Sequence, residues 1–132
     1  MNLNPVTASV EIKGVCFDRD STLSELKILI LDDSKIPFVV SAEWTAFNLV
    51  DPDAAVLALF KGQQLWQIRI ALLIAGETPQ NLSGNEIERQ SIHEEWMMKN
   101  FGTLASILPS GGSISLNLDD KTNSSQIIIQ HR

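Results

Sequence analysis

Hydrophobic and polar positions along this chain follow two periods, one of about 3.6 residues and one of 2. The helical period occurs twice. Leu23, Leu26, Leu29 and Ile30 share one side, Thr22 and Glu25 have capping-box spacing at its start, and Pro37 lies beyond its end. A helix is therefore predicted over about residues 22–33. Ser83 and Glu86 repeat the capping-box spacing, and Gly102 stands where a C-terminal left-handed glycine belongs. Between them Arg89, Ile92, His93, Trp96, Met97 and Phe101 fall on one broad arc, with Glu88, Glu95 and Lys99 opposite.

The rest of the chain reads as strands. "VTASVEIKGVCF" predicts a first strand, and "FVVSAEWTAFNLV" one or two more. "DPD" (Asp51 to Asp53) is turn chemistry. "AAVLALF" and "LWQIRIALLI" form a predicted hairpin around Gly62. In its second arm Gln67 and Arg69 alternate with Trp66, Ile68 and Ile70, which places one face on a core and one in water. The first arm is apolar on both faces and reads as a central strand. "AGETPQNLSGN" is a loop. After the second helix, Ile114, Leu116 and Leu118 alternate with Ser115 and Asn117, "DDKTNSS" turns, and "QIIIQ" is the last strand. The predicted order is β-α-β-β-β-α-β-β. This is an α+β fold: an antiparallel sheet with two helices packed on one face.

Composition narrows the picture. The 132 residues fit a single domain, residues 1–132, with neither repeats nor long linkers. No apolar run reaches 18 residues, and "MNLNPVTASVEIKG" lacks the basic and apolar segments of a secretory leader, so no membrane association is expected. The single cysteine, Cys16, cannot form an internal disulfide, which suits a cytoplasmic setting. The net charge of −6 repels phosphates, so nucleic acid is not an expected partner, whereas a basic protein is attracted.

"SIHEEWMMKNFG", residues 91–102, carries the most suggestive chemistry. Zinc proteases place a second histidine four residues after the first, but position 97 is methionine. The remaining candidates, His131 and Cys16, are remote in sequence, and neither a metal nor another cofactor is expected. His93 lies within the apolar arc, which favours a packed, hydrogen-bonded histidine over a general base. Arg89 stands one turn before it, and the two are placed to share a carboxylate on the sheet. A small enzyme would instead need a deep pocket containing His93 and a polarised partner, and no Gly-x-Ser-x-Gly elbow supplies a nucleophile. The carboxylate pairs Asp32-Asp33, Asp51/Asp53, Glu94-Glu95 and Asp119-Asp120 read first as solvated turn residues and second as an anionic recognition surface. "SGG" at 110–112 precedes a strand and is no phosphate cradle. Trp44, Trp66 and Trp96 are expected in the core.

Several of these features together resemble small bacterial immunity proteins, which neutralise polymorphic toxins such as those of contact-dependent growth inhibition. They are the Thr22-Leu23 helix start, Arg89, His93-Glu94-Glu95-Trp96-Met97, Phe101-Gly102, and the closing hairpin "GSISLNLDDKTNSSQIII". Met97 departs from the commoner leucine, and the hairpin opens on Gly-Gly where Trp-Gly is usual. The resemblance implies a non-enzymatic monomer or weak homodimer that binds a cognate, basic, nuclease-type toxin domain. The expected contact surface comprises Glu43, Asp51, Asp53, Gln67, Arg69, Asp119 and Asp120. Type III secretion chaperones are a second resemblance: small, acidic α+β proteins that dimerise and carry an effector segment in apolar grooves, although they usually open with a helix.

Overall fold

Lys13 and Gly14 turn the first predicted strand back on itself. Both adopt positive φ, 51° and 80°, the pairing that a two-residue hairpin turn of matching twist requires. Two strands, β2 (Val10–Ile12) and β3 (Val15–Phe17), therefore replace the expected single strand, and β1 (Asn2–Leu3) pairs with β2 to complete a three-stranded antiparallel sheet. The structure, a computed structural model, describes residues 2–4, 6–18, 20–26, 38–41, 44–49, 51, 53–78, 81–108, 112–119 and 124–131.

The larger sheet has six antiparallel strands: β4 (Phe38–Ser41), β5 (Trp44–Leu49), β6 (Ala54–Lys61), β7 (Gln64–Leu72), β8 (Gly112–Asp119) and β9 (Ser124–His131). Their order is β4-β5-β6-β7-β9-β8. The apolar β6 occupies the central place its composition predicts, and "FVVSAEWTAFNLV" is indeed two strands. One face carries Phe47, Leu49, Val56, Phe60, Ile68, Ile70, Ile114, Ile127 and Ile129, all in the buried core. Val10, Ile12 and Phe17 belong to the same cluster, so the small sheet covers part of this face. It is tied there by Leu65 N donating to Ser21 O and by His131 Nε2 donating to Ala8 O.

Strand β7 departs from strict alternation. The register slips between Leu59↔Gln67 and Phe60↔Leu65, which makes Trp66 the extra residue of a bulge. Leu65 and Ile68 then both face the core, a gain of about 1.5–3 kcal/mol for each fully buried side chain. The indole of Trp66 is turned outward instead, 38% exposed, with the Lys61 ammonium 5.7 Å from its ring centre. Its expected core position is thereby corrected. Trp96 does pack against the core, edge-on to Phe101, while the side chain of Trp44 lies outside the described residues.

Helix α1 is described over Leu23–Leu26, with Leu23 against the core. The remainder of the predicted 22–33 helix lies outside the described residues. Helix α2 (Glu86–Phe101) packs on β7, β8 and β9, with Arg89, His93 and Met97 buried and Ile92, Trp96 and Phe101 half-buried, as the arc predicts. Gly102 closes it in the left-handed conformation, its N–H donating to Met98 O. Its N-cap is Asn85 rather than Ser83: the Asn85 side chain accepts from Glu88 N and donates to Glu88 Oε2. The α+β architecture is thus as expected, with α2 and Leu23 of α1 against the core and the small sheet covering part of the same face. No helix among the described residues is long and apolar enough to cross a membrane.

Candidate functional site

The residues that look like chemistry in the sequence converge under α2. Pairing of β7 with β9 runs from Gln67↔Gln130 to Ile70↔Ile127. Beyond it the His93 ring stands between the strands and continues the ladder with a side chain. Leu72 N donates to His93 Nε2 at 3.0 Å, which leaves the ring proton on Nδ1 to donate to Ser125 Oγ at 2.8 Å. His93 is 0% exposed. Burial, reinforced by the nearby Arg89 charge, lowers its pKa from 6.5 to about 4, so the ring is neutral near neutral pH.

Arg89, one turn earlier and also 0% exposed, takes the other backbone group of the same strand end. Its Nη1 donates to Leu72 O, and its fork grips both oxygens of Glu77, at 2.9 and 2.6 Å. Its Nε donates to Glu86 Oε2 at 2.6 Å. Glu77 further accepts from Ile74 N and Ser83 N, and Glu86 accepts from Ser125 N. The guanidinium holds the Glu77 carboxyl well below the usual carboxylate range, against the opposing effect of burial. Burial works against the Arg89 charge, but Glu77 and Glu86 outweigh it and raise its pKa.

Two expectations change here. Arg89 and His93 do not share a carboxylate on the sheet. The Arg89 carboxylate partners come from the loop after β7 and from α2 itself, while His93 bonds to Leu72 and Ser125. Glu86 is drawn inward, which is why Asn85 and Glu88 supply the cap. Glu77 was not singled out in the sequence, where "AGETPQNLSGN" reads only as loop. The available signal was Arg89 itself, because an arginine inside an apolar arc requires a buried carboxylate. Both ring nitrogens of His93 are engaged, and its ring has no surface to offer a substrate. An open depression of about 430 Å3 lies elsewhere, on the small sheet, lined by Asn2, Leu3, Asn4, Ser9, Glu11 and Cys16. No three metal-ligating side chains are grouped among the described residues.

The predicted contact residues are distributed over the large sheet. Gln67 and Arg69 stand on its outer face, opposite the core, half-buried. Asp53 is exposed at the β5–β6 turn, and Asp119 ends β8 at the same end of the sheet, by the register Ala54↔Leu72, Ile70↔Ile127 and Asp119↔Ser124. Asp51 does not fit the expectation. It is 4% exposed and accepts from Asp53 N at 2.8 Å, so its carboxylate shapes the turn from inside and cannot present itself to a partner. Glu43 and Asp120 lie outside the described residues.

On the outer face Leu57 is paired with Arg69 and Leu59 with Gln67 on one side, and Ile128 with Arg69 and Gln130 with Gln67 on the other. A relay of amides runs across it. Gln130 Nε2 donates to Trp66 O, Gln67 Nε2 to Gln130 Oε1 at 2.7 Å, and Arg69 Nε to Gln67 Oε1 at 2.6 Å. No family model, curated protein or solved structure matches the chain.

Proposed function

We propose that the protein is a binding protein of the immunity type, which neutralises a cognate, basic, nuclease-type toxin domain by covering its active site or substrate surface. The observation that carries this reading is the division of roles between the two sides of the large sheet. On the core side Arg89, His93, Glu77 and Glu86 are buried or nearly so and bonded to one another or to β7 and β9 as struts under α2, and His131 is buried against Ala8 O. The outer side, uncovered by either described helix, presents half-buried apolar and amide side chains around Arg69, with the acidic positions Asp53 and Asp119 at one end. An apolar and arginine centre with a charged rim is the anatomy of a protein-binding surface. The net charge of −6 favours rapid encounter with a basic partner. In this reading the chain turns over no substrate.

The test is co-expression with the variable C-terminal domain of a secreted protein encoded beside this gene. Rescue of growth and a stable complex are expected. Replacing Asp53 and Asp119 together with lysine slows association at low salt and flattens its salt dependence, while the far-ultraviolet circular dichroism is unchanged. Absence of both rescue and complex defeats the reading.

A further inference from the structure

In a chain with 16 acidic and 10 basic residues, the outer face of the large sheet has the opposite character. Read by register from β5 to β8, its central rows are Asn48–Leu57–Arg69–Ile128–Ser115 and Ala46–Leu59–Gln67–Gln130–Ser113. Neither row contains a carboxylate. The one charge in them is Arg69, at the middle of β7 and flanked in its own row by Leu57 and Ile128.

The amide relay fixes how that charge is presented. Arg69 gives Nε to Gln67, Gln67 is held by Gln130, and Gln130 is anchored on the backbone carbonyl of Trp66. Among the described residues, neither terminal nitrogen of Arg69 has a hydrogen-bond or ion-pair partner. The contrast with Arg89 is chemical: there Nε, Nη1 and Nη2 are all engaged by carboxylates or a carbonyl. Arg69 is half-buried, is oriented through one nitrogen, and keeps a planar two-nitrogen fork without a partner among the described residues. That fork matches the two oxygens of a carboxylate.

We propose that the outer sheet face is a protein-docking surface centred on Arg69, and that its occupant is an aspartate or glutamate side chain of a partner protein flanked by apolar residues. The carboxylate closes on the Arg69 fork, and the flanking apolar groups seat on Leu57, Leu59 and Ile128. Burying the pair strengthens it, since the surrounding side chains exclude water and Gln67 already fixes the guanidinium. A neutral or basic residue at this point leaves Arg69 desolvated without a partner, so the centre of the face selects an acidic anchor even on a partner that is basic overall. This deepens the binding reading above and rests on it for the partner's identity, though not for the site.

The test uses the whole chain labelled for nuclear magnetic resonance and three probes: acetyl-Leu-Glu-Leu-amide, its glutamine counterpart, and sodium acetate at matched ionic strength. The glutamate peptide is expected to give saturable shifts at the Arg69 Nε–H, the Gln67 and Gln130 side-chain amides, and the backbone amides of Leu57 and Ile128. The glutamine peptide, and the glutamate peptide with Arg69→Gln, are expected to bind about tenfold more weakly or worse. Arg69→Lys, which keeps the charge and loses the fork, serves if Arg69→Gln does not fold. Shifts that do not saturate, that are the same with both peptides, or that survive loss of the guanidinium overturn the proposal. Acetate binding as tightly as the peptide overturns it too, in favour of a small-anion site. Peptide binding without a toxin complex leaves the face standing and removes the immunity reading. A toxin complex indifferent to Arg69→Gln does the reverse.

Discussion

Mild acid is expected to weaken this protein through its buried imidazoles, His93 above all. Folded, His93 is neutral: Nε2 accepts from Leu72 N, burial excludes water, and the Arg89 charge adds to the penalty for a second proton. The unfolded chain takes up that proton near pH 6.5, whereas the folded chain refuses it until about pH 4. The His93 contribution is therefore fully present above pH 6.5 and is lost as pH falls through this window. The whole interval corresponds to ~3 kcal/mol, of which about 2 kcal/mol falls between pH 7 and pH 5. That is a substantial share of the ~5–15 kcal/mol typical of a domain. With a urea slope of about 1–3 kcal/mol per molar, the midpoint should move down by roughly 1 M between the two pH values. Buried His131, whose pKa is also lowered, adds to the loss with the same sign. The Glu77 contribution is lost only below its ordinary value of 4.5, outside the interval from pH 7 to pH 5. The assay is urea unfolding followed by tryptophan fluorescence, on the natural chain and on His93→Gln. Glutamine can accept from Leu72 N and donate to Ser125 Oγ but cannot titrate. The variant should start less stable at pH 7 and lose markedly less on going to pH 5. An unmoved midpoint in the natural chain, or an equal movement in the variant, refutes the reasoning.

Two further outcomes follow from the core and the ladder. Arg89→Met leaves Glu77 and Glu86 facing each other with little exposure and no cation, and should destabilise by about 3–5 kcal/mol in the same urea assay at pH 7. The deficit should shrink as pH falls toward 5, because a proton taken up there relieves the uncompensated negative charge; a deficit that stays constant counts against the charge argument. Gly112→Ala drives a methyl carbon into the Gln130 carbonyl, where β8 is paired with β9. The backbone must separate there, at a cost at or above the upper end of ~1–3 kcal/mol, with faster amide exchange at His131 and Gln130 as the check.

Long-period features were legible in the sequence because they rest on burial. The arc of Arg89, His93, Met97 and Phe101 places α2, and the apolar run of β6 places a central strand. Gly102 ends its helix in the left-handed conformation, which no other residue type occupies so freely. What escaped was decided by single residues against a period. One extra residue at Trp66 reverses the facing of an indole, and Lys13-Gly14 folds one strand into two. Glu86 has capping-box spacing from Ser83, yet turns inward because Arg89 and Ser125 N need it more. Alternation along β7 placed Gln67 and Arg69 on the outer face, whereas acidity alone did not reveal that Asp51 is buried. A carboxylate in a turn bonds its own backbone, and a turn against a core is buried.

The bulge in β7 also separates two natural optical probes. Trp66 looks outward beside the relay that holds Arg69, while Trp96 is half-buried, resting against Phe101 and the core beneath α2. With Trp44 replaced by phenylalanine, emission from the first senses occupancy of the outer face and emission from the second senses integrity of the core. One chain can thus report docking and unfolding as distinct signals, without an attached dye.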